Sequence, residues 1–484
     1  MSNEILGLQP TTVWKYFDEI CQIPRPSKKE EKIIAYLLET GKKLGLETKR
    51  DAAGNVLISK PATKGKENIT PVIFQSHMDM VCEKNNDTVF NFNTDAIQPC
   101  IDGEWIRAKG TTLGADDGIG MAIALALLED KTIEHGPFEC LFTVDEETGL
   151  TGAIALEKNF LQGKMLLNLD SEDDGQFFIG CAGGKNTIAK IDYERQPVPS
   201  NSVPFKITVK GLKGGHSGDD INKGLGNAVK ILNRVLYKGT YSFDIAIAHI
   251  AAGNLHNAIA REGIAVVVVA AEKSEPFKNF VEEFNLIVKK ELRITDPDVT
   301  ITIEKTDMPQ YIMDDFTQSD LIDALYACPH GVLAMAQDIE GFVETSTNLA
   351  SVKMNDTQVT VTTSQRSSVE SKKEDAANML ASLFGLINAD IEHTDGYPGW
   401  TPNPQSEVLN VLKQAYTNLF KKDPLVLAIH AGLECGIIGE KYPGMDMISY
   451  GPTLRGVHSP DERLLIESVS HVWDLTVEFL RILK

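Results

Sequence analysis

The sequence predicts an α/β protein whose first domain is interrupted by an inserted α+β domain. Apolar strands alternate with helices over residues 1–186, which is typical of a sheet covered by helices. Half-exposed alternating strands and further helix patterns fill residues 187–397. A Pro- and Gly-rich crossing at 396–404 then leads back to helix and strand, so residues 398–484 are expected to complete the first domain.

The elements of the first domain follow from apolar runs and their boundaries. Residues 11–21 form a helix, and Ser27 with Glu30 has the spacing of a capping box before the helix EEKIIAYLLETGKKLGL. DAAGNVLISK is typical of a strand entered from a hairpin. The remaining apolar elements are a strand at VIF, a helix at GIGMAIALALLE, and strands at FECLFTVDEE and MLLNLDSED.

The inserted domain shows one order of elements twice. FKITVKGLKGG, NAVKILNRVLY, IAREGIAVVVVAAE, FVEEFNLIVKKEL and VTITIEK resemble a β-α-β-β-α-β unit. A similar run follows, with a helix at LIDALYACPHGVLAMA, strands at TNLASVKM and TQVTVTTSQRSS, and a helix at KEDAANMLASLFGLI. We therefore expect two such halves within residues 187–397.

Composition excludes several classes of protein. The net charge is −21 without a basic cluster, so no nucleic-acid partner is expected. No window has the roughly 18 uncharged apolar residues that a membrane helix needs. The seven cysteines are scattered without a CxxC pair, which argues against a disulfide framework and a zinc ribbon. The N-terminal sequence lacks a signal-peptide pattern, and we expect a cytoplasmic protein.

Imidazoles and carboxylates recur where apolar strands stop or helices start. His77 and Asp79 are two positions apart after VIF, so an extended chain presents both on one side. The others are Asp116 and Asp117, Glu146 and Glu147, Asp170, and His458. Clustered carboxylates repel each other, and a divalent cation removes that conflict. A mixed His/Asp/Glu set suits Zn²⁺ or Mn²⁺ better than Ca²⁺.

Several of these positions also have an ordinary structural interpretation. A lone His77–Asp79 pair is more often a surface pair or a cap, and Asp116 with Asp117 fits a helix N-terminus. Acids such as Glu146 in a loop are usually solvated. The joint occurrence of these groups at strand ends favours a metal site.

At this point the sequence resembles a known family. SHMDMV, GADDGIGMA, DEETGL, LNLDSE and GVHSPDE follow, in order, the motifs of the di-zinc exopeptidase and aminoacylase metallopeptidase family. Within it, the branch of aminoacyl-histidine dipeptidases (Xaa-His or cytosol non-specific dipeptidases) is most similar, with further matches at QIPRPSKKE, KGGHSGDDI and HAGLECGI. The resemblance implies a catalytic domain with a mixed central sheet flanked by helices, and an inserted lid domain of two ferredoxin-like halves.

The resemblance also implies two divalent metal ions, with Zn²⁺ expected and Mn²⁺ or Co²⁺ as alternatives. Asp116 would bridge the two ions. The other implied ligands are His77 and Asp170 for one ion, and Glu147 and His458 for the other. Glu146 would act as the general base on the attacking water, and Asp79 would orient His77 from behind.

In the inserted domain, the resemblance implies three residues that bind substrate. His216 in KGGHSGDD would stabilise the oxyanion, although a flexible turn with an incidental histidine is the alternative. Asn257 and Arg366 would hold the C-terminal carboxylate of a dipeptide, since arginine suits bidentate pairing, although Arg366 also fits an ordinary strand-end cation. Glu434 in HAGLECGI is a candidate for the lining of the substrate pocket. The family often forms homodimers through this domain, so a homodimer is expected, and the subunit in which His216 acts stays open.

The expected activity is hydrolysis of dipeptides, including Xaa-His dipeptides such as β-alanyl-histidine. An aminoacylase or amidohydrolase acting on N-acyl amino acids is the enzymatic alternative, because the same metals serve both reactions. A non-catalytic metal-binding scaffold is the third possibility, and the presence of Glu146 argues against it.

Overall fold

A computed structural model describes residues 4–337 and 339–484. The chain forms two compact units. The first comprises the described residues up to Gly180 together with Trp400–Ala428 and Leu433–Lys484. The second comprises Cys181–Gly399 and Ile429–Gly432. In the described residues, no helix is both long and apolar enough to cross a membrane.

The helices of both units are numbered here in chain order. They are α1 Thr11–Cys21, α2 Glu31–Leu44, α3 Ala115–Glu129, α4 Glu146–Gly149, α5 Thr151–Ala155, α6 Ala228–Phe243, α7 Ser274–Glu291, α8 Asp315–Ala327, α9 Glu370–Gly385, α10 Glu407–Phe420, α11 Glu434–Lys441 and α12 Ile466–Ile482. Short 3₁₀ helices lie at Ile5–Gly7 and Ala271–Lys273.

The strands are numbered in the same way. They are β1 Glu47–Arg50, β2 Val56–Lys60, β3 Val72–His77, β4 Pro99–Asp102, β5 Trp105–Ala108, β6 Phe138–Thr143, β7 Met165–Asn168, β8 Gln176–Cys181, β9 Gly183–Asp192, β10 Arg195–Gln196, β11 Ser202–Lys210, β12 Ala246–Ala252, β13 Gly263–Ala270, β14 Thr300–Lys305, β15 Ile312–Met313, β16 Gly331–Met335, β17 Val343–Met354, β18 Gln358–Ser367, β19 Asp390–His393, β20 Leu425–Ile429, β21 Asp446–Ser449, β22 Leu454–Arg455 and β23 Arg463–Leu465.

The first unit is built on a mixed sheet of strand order β1-β2-β6-β3-β7-β21-β8-β20. The four central strands β6, β3, β7 and β21 are parallel, and β2 and β8 pair antiparallel on either side of them. Every residue of β3, β6 and β7 is buried, as expected for strands covered on both faces. The predicted fold class, a mixed α/β sheet flanked by helices such as α3, is confirmed.

The register of the parallel strands brings their carboxyl ends to one edge of the sheet. His77 at the end of β3 lies opposite Thr143 at the end of β6. Gln75 of β3 lies opposite Asn168 at the end of β7. Residues that follow these strands are therefore brought close together in space, where α/β proteins bind ligands.

The second unit is built on one large sheet of order β14-β11-β13-β12-β17-β18-β9-β19, with β16 paired to β17. The first half, β11-α6-β12-β13-α7-β14, has its strands in the ferredoxin-like order 4-1-3-2. The second half uses β9, α8, β17, β18, α9 and β19 in the same order. The halves join through β12 and β17, and one apolar core extends beneath both. Because β9 precedes β11, the first half is inserted into the second.

Two local predictions were wrong. Ser27 and Glu30 do not cap α2, since neither side chain bonds to its first turn. Ser27 Oγ instead donates to Asp79 Oδ2 at 2.8 Å, and Glu30 Oε1 accepts from the Asp145 N–H at 3.1 Å. The predicted helix over LIDALYACPHGVLAMA ends at Ala327, and Gly331–Met335 form strand β16. Pairing with β17 overrides the helix preference of that segment.

Candidate metal centre

Asp116 lies between two histidines from distant parts of the first unit. His77 Nε2 is 2.9 Å from Asp116 Oδ1, and His458 Nε2 is 3.1 Å from Asp116 Oδ2. His77 Nε2 is also 3.4 Å from Asp170 Oδ1, whereas His458 Nε2 is 3.0 Å from Glu147 Oε2. The two oxygens of one carboxylate therefore face two separate groups, His77–Asp116–Asp170 and Asp116–Glu147–His458.

The backbone of Asp116 is not helical, although the residue lies within the bounds of α3. Gly114 has a φ of 68° and precedes α3, so the turn adopts a left-handed conformation that favours glycine. Asp117 is buried and accepts a hydrogen bond from the Gly120 N–H at 3.1 Å. The carboxylate of Asp117 thus accepts an N–H group at the start of the helix, whereas the carboxylate of Asp116 lies beside the two histidines.

Asp79 supports both a histidine and the segment that carries two glutamates. Its Oδ1 lies 3.4 Å from His77 Nδ1, on the side of the ring opposite Asp116. The same carboxylate accepts the N–H groups of Glu146 at 3.0 Å and Glu147 at 3.3 Å. One buried side chain therefore orients His77 and the first turn of α4.

The electrostatics of the cluster show an excess of buried acid. Burial raises the pKa of Asp170 to about 7 and that of Glu146 well above its usual value. Burial acts against ionisation of Asp116 as well, but hydrogen bonds from His458 and His77 hold its pKa below the usual range. Hydrogen bonds to Asp116 and Glu147 raise the pKa of His458 to about 11. The cluster therefore brings together more buried carboxylates than the two histidines can neutralise.

The residues fit divalent metal ions. The donor set combines imidazole nitrogens with carboxylate oxygens, which suits Zn²⁺ or Mn²⁺. Glu147 Oε1 is buried without a hydrogen-bond partner among the described residues, although a buried carboxylate oxygen normally has one. A cation would provide that partner and would offset the negative charge of the carboxylates.

In the second unit, the predicted substrate residues lie near one another. Arg366 is buried, and its Nη2 lies 3.3 Å from His216 Nε2. Arg366 Nη1 donates to the Tyr397 hydroxyl at 2.9 Å, and its Nε donates to Ser217 Oγ at 3.3 Å. Asn257 is exposed and lines the same cavity of about 570 Å³ as His216.

Several polar residues support the site in the first unit, and sequence reasoning missed two of them, Arg25 and Glu462. Glu434 is fully buried, and its Oε2 accepts from Gln75 Nε2 at 2.6 Å and Thr143 Oγ1 at 2.7 Å. Burial raises the pKa of Glu434 to about 7. Arg25 and Glu462 also bond to the segments that carry the ligands. Both lie within motifs already noted, QIPRPSKKE and GVHSPDE, which were the available signal.

Comparisons with known proteins identify the family of this chain. The model of peptidase family M20/M25/M40 matches residues 73–481. The chain is 44% identical over 479 residues to the cytosol non-specific dipeptidase of Escherichia coli K12, covering 99% of each sequence.

Solved structures extend the comparison. The crystal structure of aminoacylhistidine dipeptidase from Vibrio alginolyticus matches with a TM-score of 0.93 at 42% identity, covering 100% of this chain and 99% of that one. Aminopeptidase PepT from Bacillus cereus matches with a TM-score of 0.58 at 18% identity over 98% of both chains, which shows a shared fold alone.

Proposed function

This chain belongs to peptidase family M20/M25/M40, and from that premise we propose that it is a metal-dependent dipeptidase. Its substrates would include Xaa-His dipeptides such as β-alanyl-histidine. The names of the two most similar proteins described above support the substrate class. The observation that carries the proposal is the position of Asp116, whose two carboxylate oxygens face His77 and His458 separately.

Two divalent ions are proposed at this centre, with Zn²⁺ expected and Mn²⁺ or Co²⁺ as alternatives. Asp116 would be shared between them. His77 and Asp170 would hold one ion, and Glu147 and His458 would hold the other. When bound, the ions would polarise the substrate carbonyl and acidify the attacking water.

Glu146 is proposed as the general base. It belongs to the group formed with His77 and Glu147, so its carboxylate lies beside the proposed ligands. Burial raises its pKa, which favours a carboxylate that accepts a proton and can donate it again. Glu146 would take the water proton as the C–O bond forms, and deliver it to the leaving amine nitrogen as the C–N bond breaks. Asp79 would hold Glu146 in place through its backbone N–H.

Substrate recognition is proposed to involve the second unit. Arg366 would pair with the terminal carboxylate of the dipeptide together with Asn257, and His216 would donate to the oxyanion. The contact of Arg366 with Tyr397 and Ser217 supports this role, since both neighbours fix a planar guanidinium.

The function is tested by hydrolysis of three compounds, each assayed with added Zn²⁺ or Mn²⁺ and with chelator. β-Alanyl-histidine and alanyl-histidine should be cleaved, and N-acetyl-histidine should not. Chelator should abolish both reactions, and Glu146→Gln should lower kcat by about 10²–10⁴-fold. Exclusive cleavage of N-acetyl-histidine would instead identify an aminoacylase, and no cleavage by a protein that binds metal would identify a scaffold.

The expected homodimer and cytoplasmic location are part of the same proposal. The E. coli relative is named as a cytosolic enzyme, which supports the compartment. Pairing through residues 187–397 is expected from the family resemblance. Sedimentation of the purified protein would show a mass near twice 53.1 kDa if the dimer forms.

A further inference from the structure

The turn that carries Asp116 presents several backbone N–H groups to one side. Leu113, Gly114, Ala115 and Asp116 are consecutive and lie just before or at the start of α3. Asp116 and Asp117 have non-helical backbone angles, so these four N–H groups lie before the regular part of α3 and have no partner in its ladder of hydrogen bonds. Such a run of donors needs an acceptor from elsewhere in the chain.

One carboxylate accepts all four. Glu462 Oε2 accepts from the N–H groups of Leu113 at 2.7 Å and Gly114 at 2.9 Å. Glu462 Oε1 accepts from those of Ala115 at 2.7 Å and Asp116 at 3.3 Å. The residue is only 2% exposed, so water does not replace these bonds.

Glu462 also belongs to the segment of the second histidine. It follows His458 by four residues, and its own N–H donates to the Ser459 carbonyl at 3.0 Å, which closes the loop between them. The side chain therefore joins the loop of His458 to the turn of Asp116. These two residues lie in one group, 3.1 Å apart.

Carbonyl groups of the turn and of the segment after His77 also need partners, and the guanidinium group of Arg25 donates to them. Arg25 is buried and donates to the carbonyls of Gly114, Asp79 and Met78, the last at 3.2 Å. A Cβ on Gly114 would lie 2.7 Å from Arg25 Nη2, so this approach requires glycine. Arg25 thus joins the turn to the segment after His77, as Glu462 joins it to His458.

We propose that Glu462 is a positioning residue that sets the affinity of the metal site formed by Asp116, Glu147 and His458. Its charge and length fix the separation between the carboxylate of Asp116 and the imidazole of His458. This inference rests on the proposed metal centre and goes beyond it, because Glu462 itself is no ligand. Partners that orient metal ligands typically change metal affinity by about 10–100-fold when they are replaced.

The test is metal titration of the full-length apo protein with Zn²⁺, followed by competition with a chromophoric chelator. Glu462→Gln has one acceptor oxygen, and its NH₂ group would face backbone N–H donors. The affinity of the site formed by Asp116, Glu147 and His458 should fall by about 10–100-fold in this variant. Glu462→Asp keeps the charge but is one methylene shorter, and it should show a smaller loss.

The matched control is Asp296→Asn in the second unit. Asp296 is fully buried, and it joins two loops by accepting the N–H of Lys213 at 2.8 Å and of Gly226 at 2.9 Å. This variant should destabilise the protein on thermal unfolding while both metal affinities stay at wild-type values. The comparison separates positioning of the metal ligands from a general loss of stability.

The outcomes are distinct. Wild-type affinity at both sites in Glu462→Gln, or in Glu462→Asp if the first variant does not fold, would overturn the inference. A loss of affinity equal to that of Asp296→Asn would overturn it as well. If the wild-type protein binds no metal, the proposed function fails before this inference is reached.

Discussion

Asp79 shows how one side chain links two parts of the candidate site. It contacts His77 on one side and accepts the N–H groups of Glu146 and Glu147 on the other, with Ser27 Oγ as a further donor. Burial opposes its charge, but the hydrogen bonds from His77 and Ser27 lower its pKa to about 2. The hydrogen bonds around Asp79 therefore favour its ionised form.

Replacement of Asp79 by asparagine should lower kcat by about 10–100-fold at saturating metal. The amide keeps one acceptor oxygen and loses the charge that orients His77. Steady-state kinetics on β-alanyl-histidine measures the effect.

The control for this variant is Asp314→Asn. Asp314 is buried, and its two oxygens accept the N–H groups of Thr317 and Glu194, both at 2.9 Å. The Asp314→Asn variant should be less stable than the wild type but should keep the same kcat. Equal values of kcat in Asp79→Asn and in the wild type would show that Asp79 only stabilises the fold.

The grouping of the candidate residues at one edge of the sheet was predictable from the sequence because strand-end polarity is a local signal. His77, Asp170 and Glu146 each come soon after an apolar run, and parallel strands bring such ends together. The contribution of Glu462 was not predictable, since its four donors lie some 350 positions earlier in the chain. Contacts at such separation leave no periodic pattern.

At the scale of elements, local sequence patterns gave wrong predictions where a segment bonds to a distant part of the chain. Ser27 and Glu30 have the spacing of a capping box, yet the hydroxyl of Ser27 bonds to Asp79. The helix-like segment before Met335 forms β16, because the neighbouring strand β17 offers an open edge. Helix propensity is a weak preference that tertiary pairing overrides.

Two glycines of the second unit, Gly184 and Gly432, pack closely against the ring of Tyr397. A Cβ on Gly184 would lie 2.7 Å from Tyr397 Cζ, and one on Gly432 would lie 2.7 Å from Tyr397 Cε2. The hydroxyl of this ring accepts from Arg366. The two glycines thus allow the tyrosine to reach the proposed carboxylate-binding residue.

Gly184→Ala should destabilise the protein by about 1–3 kcal/mol, because the added methyl group overpacks against an aromatic ring. It should also raise KM for dipeptides by displacing Tyr397 from Arg366. Thermal unfolding and kinetics measure the two effects. Gly385→Ala, at the end of α9 with open space around the new methyl group, is the control and should change neither. Unchanged stability in Gly184→Ala would show that the ring can move aside.

At the scale of the whole molecule, changes of pattern along the sequence predict a domain over residues 187–397 that is inserted into another, and the chain forms two compact units. The two ferredoxin-like halves could be recognised by their element order, but not the membership of β9, which lies before the first half and pairs with β18. Strand pairing between such distant segments depends on the complete fold. The sequence therefore predicted most strands of the sheet, but it did not predict that the first half is inserted into the second.

Metal binding should stabilise the whole protein through linkage. An ion present at about 100 times its Kd adds about 2.7 kcal/mol, which corresponds to about 5–10 °C in Tm for a unit of this size. Chelator should therefore lower Tm by that amount, as measured by calorimetry. Asp116→Asn should start from the lower Tm and should not respond to chelator. A wild-type Tm that chelator leaves unchanged would contradict metal binding by the folded state.

The central claim is that Asp116 is shared by two metal ions. Anomalous diffraction at the zinc edge, from crystals grown with Zn²⁺, tests it most directly. The account predicts two peaks about 3.5–4 Å apart, one beside His77 and Asp170 and one beside Glu147 and His458, with the carboxylate of Asp116 between them. A single peak, or two peaks that do not share Asp116, would contradict the account.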